Sequence, residues 1–367
     1  MTLYIIIPKK SILQAKLFLH RLSTVYSFVQ CYPRIIKNER LMDVKNVLKG
    51  LLFVTIALVA FPVISVLMSE GLTYFDQEEA IPAFSETTVA QAYPTLEEIY
   101  ICDITTGTIM TLPIEDFLTY SVLGTLQMDA EPELIKAHAV LMYTYILGRR
   151  IEEEINPTAE LYGCDISTDT NKYIRLSYDG DNIEALRQAV SEVAGEYITY
   201  DGKLIAPAYC VSNGGISESA LTVLGEDVPY LQSVISEYDS DYITELSYTS
   251  DELFARITTQ SEGITLLGDT SDWIVITGTT DTGYITEVTL DGNTAITGKQ
   301  LASWLNLPSA RFTVAYSDEF DRFTFTVYGS GHLVGLSQYG GNRMAEAGYS
   351  YAEIISFYFT GVEIKKP

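Results

Sequence analysis

Two glycine-rich polar loops carry most of the groups in this 367-residue chain that could do chemistry. The first is Tyr209-Cys-Val-Ser-Asn-Gly-Gly-Ile-Ser-Glu218, which follows a strand-like run. Gly214 and Gly215 let the main chain approach a ligand closely, while Ser212, Asn213 and Glu218 offer hydrogen bonds. An ordinary turn accounts for the same residues equally well. The second is Gly329-Ser-Gly-His-Leu-Val-Gly-Leu-Ser-Gln-Tyr-Gly-Gly341. It sets His332, one of only three histidines, between glycines just before Ser337 and Gln338. An imidazole in such a place serves either as a proton carrier or as a structural hydrogen-bond donor, and the sequence leaves both open.

No metal site or other cofactor is expected. A metal-dependent amidase would need a cluster of histidines and acids, and beyond residue 69 the chain has only His138 and His332. Cys102, Cys164 and Cys210 are an odd number with no CxxC pair, so neither a disulfide framework nor a zinc knuckle is indicated. One pair could form, or all three are small buried hydrophobes.

The elements that must position these loops follow from turn chemistry and periodicity. Residues 99–112 read as two strands joined by a Thr-Thr-Gly turn, and Pro113 then opens a helix with Glu115 and Asp116 in its first turn. From Pro132 to Arg150 apolar residues recur at roughly helical spacing, which predicts the longest buried helix. A further helix is expected over 181–194, a strand pair turning at Asp201-Gly202, and a final helix over 340–347. Residues 250–299 mix a short helix with Thr-rich alternating strands such as 273–277 and 284–290, and 323–327 reads as a return strand. Short helices among antiparallel hairpins argue for an α+β class rather than a doubly wound sheet.

Charge is distributed unevenly. Residues 1–49 hold nine of the 23 Lys/Arg and two of the 48 acids, so the remainder carries a net charge of −32. A body so acidic is repelled by phosphates, and nucleic acid is excluded as a partner. Residues 50–68 are 19 uncharged, mostly apolar residues, long enough to span a bilayer core. Lys45 and Lys49 precede them and acids follow, which orients the C-terminal part away from the cytoplasm. A signal peptide is the alternative, but no small-x-small cleavage site follows. The expected order is a cytoplasmic segment over 1–49, a single-pass cell-membrane anchor over 50–68 and a tether over 69–96. A folded extracytoplasmic domain over 97–367 follows, with 245–300 as a second lobe. Met42 opens an ordinary start for an anchored chain, which leaves residues 1–41 as an overextended start and both Met1 and Met42 open.

Four stretches in order resemble the stage II sporulation protein D and amidase-enhancer family, over about residues 99–364. Leu112-Pro-Ile-Glu-Asp-Phe-Leu118 is similar to its opening motif and Leu134-Ile-Lys-Ala-His-Ala-Val140 to its long helix. Residues 209–218, with Pro229-Tyr-Leu231 after them, resemble its Ser-Gly-Gly-x-Thr-Glu loop, and residues 331–340 its C-terminal signature. The resemblance implies a two-lobed domain with mixed and antiparallel strands and a long buried helix, behind the transmembrane anchor. It also implies a lytic transglycosylase acting on peptidoglycan glycan strands during sporulation engulfment, beside a cell-wall amidase and other engulfment membrane proteins. Lys136, His138, Ser212, Gly214, Gly215, Glu218, His332, Ser337 and Gln338 are then the expected substrate-binding residues.

Such an enzyme needs one acid that protonates the glycosidic oxygen and then, as base, takes a proton from the sugar's own hydroxyl. The family supplies it from a Glu-Met-Pro step, and Gln127-Met128 stands at the matching place, with Leu126 there instead if the alignment is gapped by one. Neither side chain exchanges a proton. Asp129 and Glu131 are near enough in sequence to substitute only if the loop shifts, so the catalytic assignment rests on Gln127 and Asp129. Other family positions are changed as well: its helix Gln is His138, its following Arg is Tyr143, its second-lobe Arg is Ala302 and its signature Gly is Leu333. Some clostridial members hold zinc after a strand resembling residues 163–169. Ser167, Asn171 and Lys172 at the matching places are poor zinc ligands, and Cys164 would serve only as a displaced one. The alternative to an enzyme is therefore a catalytically inactive glycan-binding or amidase-activating protein.

Overall fold

The computed structural model describes residues 93–126, 129–180, 183–260 and 263–366. The expected anchor and Gln127 lie outside the described residues, as does most of the tether. Among the described residues no helix is long and apolar enough to cross a membrane.

The chain begins with an antiparallel hairpin, β1 (Glu98–Cys102) and β2 (Ile109–Pro113). Its turn is fixed by the Asp103 carboxylate, which accepts from the Thr105 amide at 2.8 Å. Pro113 ends β2 and starts α1 (Ile114–Thr125), because its locked φ suits a helix start and its missing N–H is not needed there. The long helix α2 (Pro132–Ile155) runs five residues past its expected end. Every residue from Ala137 to Gly148 is buried, so it is covered on all sides, as a helix apolar around its circumference must be. β3 (Ile166–Ser167) then joins β1 in parallel.

α3 (Ile183–Val193) packs on α1 and α2, and β4 (Tyr197–Tyr200) turns back through Asp201 and Gly202 into β5 (Lys203–Leu204). Asp201 and Gly202 both have positive φ, the conformation of a two-residue hairpin turn. These elements surround one hydrophobic core that includes Ile99, Phe117, Leu134, Leu141, Ile198 and Phe359.

A second core draws on residues from Tyr248 to Leu333. It lies under two antiparallel sheets. β7 (Ile243–Thr249) pairs with β12 (Arg322–Tyr328), which pairs with β11 (Phe312–Ser317). β9 (Ile285–Leu290) sits between β8 (Ile274–Thr279) and β10 (Thr294–Ile296). The short helix α4 (Ala220–Leu224) precedes them in the chain, and two helices, α5 (Ser250–Gln260) and α6 (Gly298–Leu305), pack on each other beside them. α6 starts with a capping box in which Thr297 and Gln300 satisfy each other's main-chain amides. The class is α+β, built from several small sheets, as the element pattern predicts.

The chain returns to the first core through β13 (Leu336–Ser337), which pairs in parallel with β6 (Tyr209–Cys210). α7 (Gln338–Glu346) and α8 (Tyr351–Tyr358) follow, and β14 (Glu363–Lys365) closes on β4. The sequence reading singles out only the first of these two helices, although α8 carries its own signal, a capping box between Ser350 and Glu353.

Candidate functional site

The parallel pair β6 and β13 brings the two glycine-rich loops together, although some 120 residues separate them. Beyond the strands, Ser212 and Ser330 exchange main-chain hydrogen bonds of 3.2 and 2.8 Å, and the Glu218 amide donates to the Leu333 carbonyl at 2.7 Å. Gly214 permits this approach. Its φ is +59°, and a β-carbon there would lie 2.4 Å from the Gly329 nitrogen, so the main chains touch where a side chain would stand.

A buried carboxylate that the sequence reading missed ties the loops to each other. Asp239, fully buried, accepts from Ser212 Oγ at 3.0 Å, the Asn213 amide at 2.8 Å and Ser337 Oγ at 2.6 Å through one oxygen. Its other oxygen accepts from the Gly215 amide at 3.2 Å. Hydrogen bonds to an ionised acceptor are the strong ones, and four of them offset the loss of the carboxylate's hydration. Burial, and next the negative charge of Asp239, hold the neighbouring Tyr358 hydroxyl far above its usual range. The available signal was an acid in a Ser/Asp-rich run, Ser236-Glu-Tyr-Asp239-Ser-Asp241, directly after an apolar stretch.

Glu218 faces the second core, where Arg311 Nη2 donates to its Oε1 at 2.8 Å, with side chains 6% and 1% exposed. Thr282 donates to the same oxygen. The other guanidinium nitrogen, Nη1, donates to the carbonyls of Asn213 and Ile216, each at 2.8 Å. Arg311 was also missed, and its guanidinium joins the first loop to the second core.

The third group surrounds the end of α1. The Thr125 hydroxyl donates to the Ser121 carbonyl at 2.6 Å and stands 2.9 Å from His138 Nε2, so that nitrogen carries the proton. His138 Nδ1 has no hydrogen-bond partner, and burial pushes the imidazole down to about 3, leaving it neutral. Tyr209 packs edge-on against the ring, with centroids 4.5 Å apart. Gln338 Nε2 donates to the Thr125 carbonyl at 2.9 Å, and one helical turn later Asn342 Oδ1 accepts from the Glu131 amide at 2.8 Å. One face of α7 thus holds both ends of the 125–131 stretch. Asp129, within it, is exposed.

The structure therefore gathers His138, Ser212, Gly214, Gly215, Glu218, His332, Ser337 and Gln338 into one region. His332 Nδ1 accepts from the Val334 amide at 3.0 Å. Burial pushes its imidazole down to about 4, against a hydrogen bond with the Tyr209 main chain and with the help of the Lys299 charge. Lys136 is placed otherwise: its described contacts are ion pairs at 2.7 Å with Glu133 on its own helix and at 2.7 Å with Glu192, the second of which joins α2 to α3. Tyr143, at an expected arginine position, is buried and accepts from the Leu96 amide at 3.2 Å. Among the described residues no three His, Cys, Asp or Glu are grouped to hold a metal ion.

Comparison with known proteins agrees with the resemblance seen in the motifs. Residues 103–200 match the family described as Stage II sporulation protein. The chain is similar to stage II sporulation protein D of Bacillus amyloliquefaciens, 25% identical over 293 residues, covering 75% of this chain and 82% of that protein. It is equally similar to stage II sporulation protein D of Bacillus subtilis strain 168, 25% identical over 267 residues, covering 70% and 75%. The amidase enhancer of the same organism is 23% identical over 283 residues, 63% of this chain and 38% of that protein.

Proposed function

From the premise that this chain carries a domain of the stage II sporulation protein family, we propose that it binds peptidoglycan glycan strands without cleaving them. One observation carries this reading: both buried carboxylates of the loop cluster are committed. Glu218 is paired with Arg311 and bonded by Thr282, and Asp239 accepts four hydrogen bonds. A transglycosylase acid must give a proton to the leaving oxygen and take one back. Each of these carboxyls is buried and turned onto donors within the protein, so neither is presented to a glycosidic oxygen. Gln127, at the family's acid position, keeps an amide able to hydrogen-bond a sugar but has no exchangeable carboxyl proton.

The clamp formed by Gln338 and Asn342 on α7 supports a binding role, because it holds Thr125 and Glu131 by their main-chain atoms beside the two loops. In this account residues 50–68 anchor the chain in the cell membrane and the folded part faces the wall. There it works beside a cell-wall amidase, in keeping with its similarity to a protein named amidase enhancer. A second reading, cleavage with Asp129 as the acid, is favoured by one fact: Asp129 is an exposed carboxyl within the clamped stretch.

Co-sedimentation of the purified chain with peptide-free glycan strands, followed by mass spectrometry of the strands, separates the two. Bound strands of unchanged length support binding alone. Anhydro-muramyl ends that vanish in Asp129→Asn would overturn it in favour of the second reading.

A further inference from the structure

We propose that the surface between α7 and residues 236–242 is a glycan subsite, in which Arg343 takes the lactyl carboxylate of a muramyl residue and tyrosines pack against the sugar rings. It rests on the glycan-binding reading above and adds to it a charged anchor outside the two loops. Residues 236–242 lie along α7. The Ser337 hydroxyl donates to Asp239 at 2.6 Å, and a β-carbon at Gly340 would stand 3.1 Å from Ser236 Oγ, so the two segments touch where glycine leaves room. Beside that buried seam, four tyrosines come out as two ring pairs; Tyr238, Tyr242 and Tyr339 are part-exposed and Tyr349 is exposed. Tyr242 and Tyr339 have centroids 5.1 Å apart and planes at 72°. Tyr238 and Tyr349 have centroids 5.8 Å apart and planes at 75°, and the Tyr238 hydroxyl donates to that of Tyr349 at 2.9 Å. Rings set edge to face make a corner with an apolar wall and a hydroxyl rim. A pyranose has the matching character, with C–H bonds on its faces and hydroxyl and acetamido groups around its edge. Tyrosine also loses little entropy on binding, because its side chain turns about only two bonds.

Arg343 stands over the first pair. Its Cζ lies 5.8 Å from the Tyr339 ring centre, and its Nη1 donates to the Tyr339 hydroxyl at 3.2 Å. Its carboxylate neighbours among the described residues are Asp241 at 3.8 Å and Glu346 at 3.9 Å, beyond hydrogen-bond reach, so they orient the guanidinium without using its donors. The arginine side chain is 46% exposed, which leaves those donors open to solvent. Beyond residue 49 the chain carries a net charge of −32, and an anionic sugar is repelled from most of such a surface. A half-exposed guanidinium beside sugar-sized ring corners is where its carboxylate can dock, through a bidentate pair of charge-assisted hydrogen bonds. Asn342, the residue before Arg343, holds the Glu131 amide, so adjacent faces of α7 bear the anchor and the clamp on the 125–131 stretch.

The test measures binding of the purified full chain to two probes: peptide-free glycan strands, and chitin oligosaccharides, which share the N-acetylated sugar backbone but lack the lactyl group. Arg343→Gln should weaken binding of the glycan strands about tenfold and leave binding of the chitin oligosaccharides within about twofold. Tyr339→Ala should weaken both about fivefold, because ring packing does not depend on the carboxylate. Undiminished binding of glycan strands by Arg343→Gln, or an equal loss on both probes, would overturn the subsite while the glycan-binding reading stands. Failure of the unaltered chain to bind the glycan strands would overturn both. If a variant does not fold, hydroxyl-radical footprinting of the unaltered chain decides. Bound strands should shield Tyr242, Tyr339 and Tyr349 from oxidation, and unchanged oxidation of all three beside bound strands would overturn the subsite alone.

Discussion

His138 is held against Thr125 by one ring nitrogen while the other faces no partner, so a proton added there has nothing to bond to. Its folded value of about 3 lies below the ordinary 6.5, which means the unfolded chain takes up the proton first. Stability contributed by the neutral ring is present above pH 6.5 and is lost as pH falls from there toward 3. Between pH 7 and 5 the loss is about 2 kcal/mol, and His332, with its folded value of about 4, adds a similar amount. Urea unfolding at the two pH values checks this: His138→Gln should remove about half of the combined change, and an unaltered difference would contradict it. Asp239→Asn turns a shared acceptor partly into a donor facing other donors, and urea unfolding should show a loss of about 3 kcal/mol. At this scale the sequence pointed to most of the loop residues because glycine spacing and polar type are local. Asp239 and Arg311 were not legible, since their partners lie 24 to 98 residues away.

Elements were the most legible level, because Pro113, the apolar spacing after Pro132 and the Asp201-Gly202 turn each act within a few residues. α8 was missed although Ser350 and Glu353 announce its start. The face that α7 presents to the 125–131 stretch was not readable, because Gln338 and Asn342 reach main-chain atoms more than 200 residues earlier. Replacing both by alanine should speed amide hydrogen exchange near 125–131 by at least about tenfold while amides of β12 keep their protection. Equal loosening of both regions would show that α7 supports the whole fold instead of clamping that stretch. Leu333 is the other departure at this level: it has φ +66° and yet is fully buried in the second core. Leu333→Gly relieves about 1 kcal/mol of left-handed strain but gives up about 2 to 3 kcal/mol of burial. Thermal melting should therefore show a net loss, and a gain would mean that strain dominates there.

At the scale of the whole molecule, the first core, the second core and the two loops meet at a few buried polar groups. Arg311 reaches from the start of the second core's outer hairpin to Glu218 and to two carbonyls of the first loop. Loss of one partner from so deep a pair strands the other charge, so Arg311→Leu should destabilise the protein by about 3 to 5 kcal/mol in urea unfolding. The same commitment of Glu218 and Asp239 leaves the chemistry, if there is any, to the 125–131 stretch. Digestion of peptide-free glycan strands by the purified chain and by Gln127→Glu, read as anhydro-muramyl ends, decides between a binder and an enzyme. The natural chain should release no such ends, and Gln127→Glu should release them. Ends released by the natural chain would contradict binding alone.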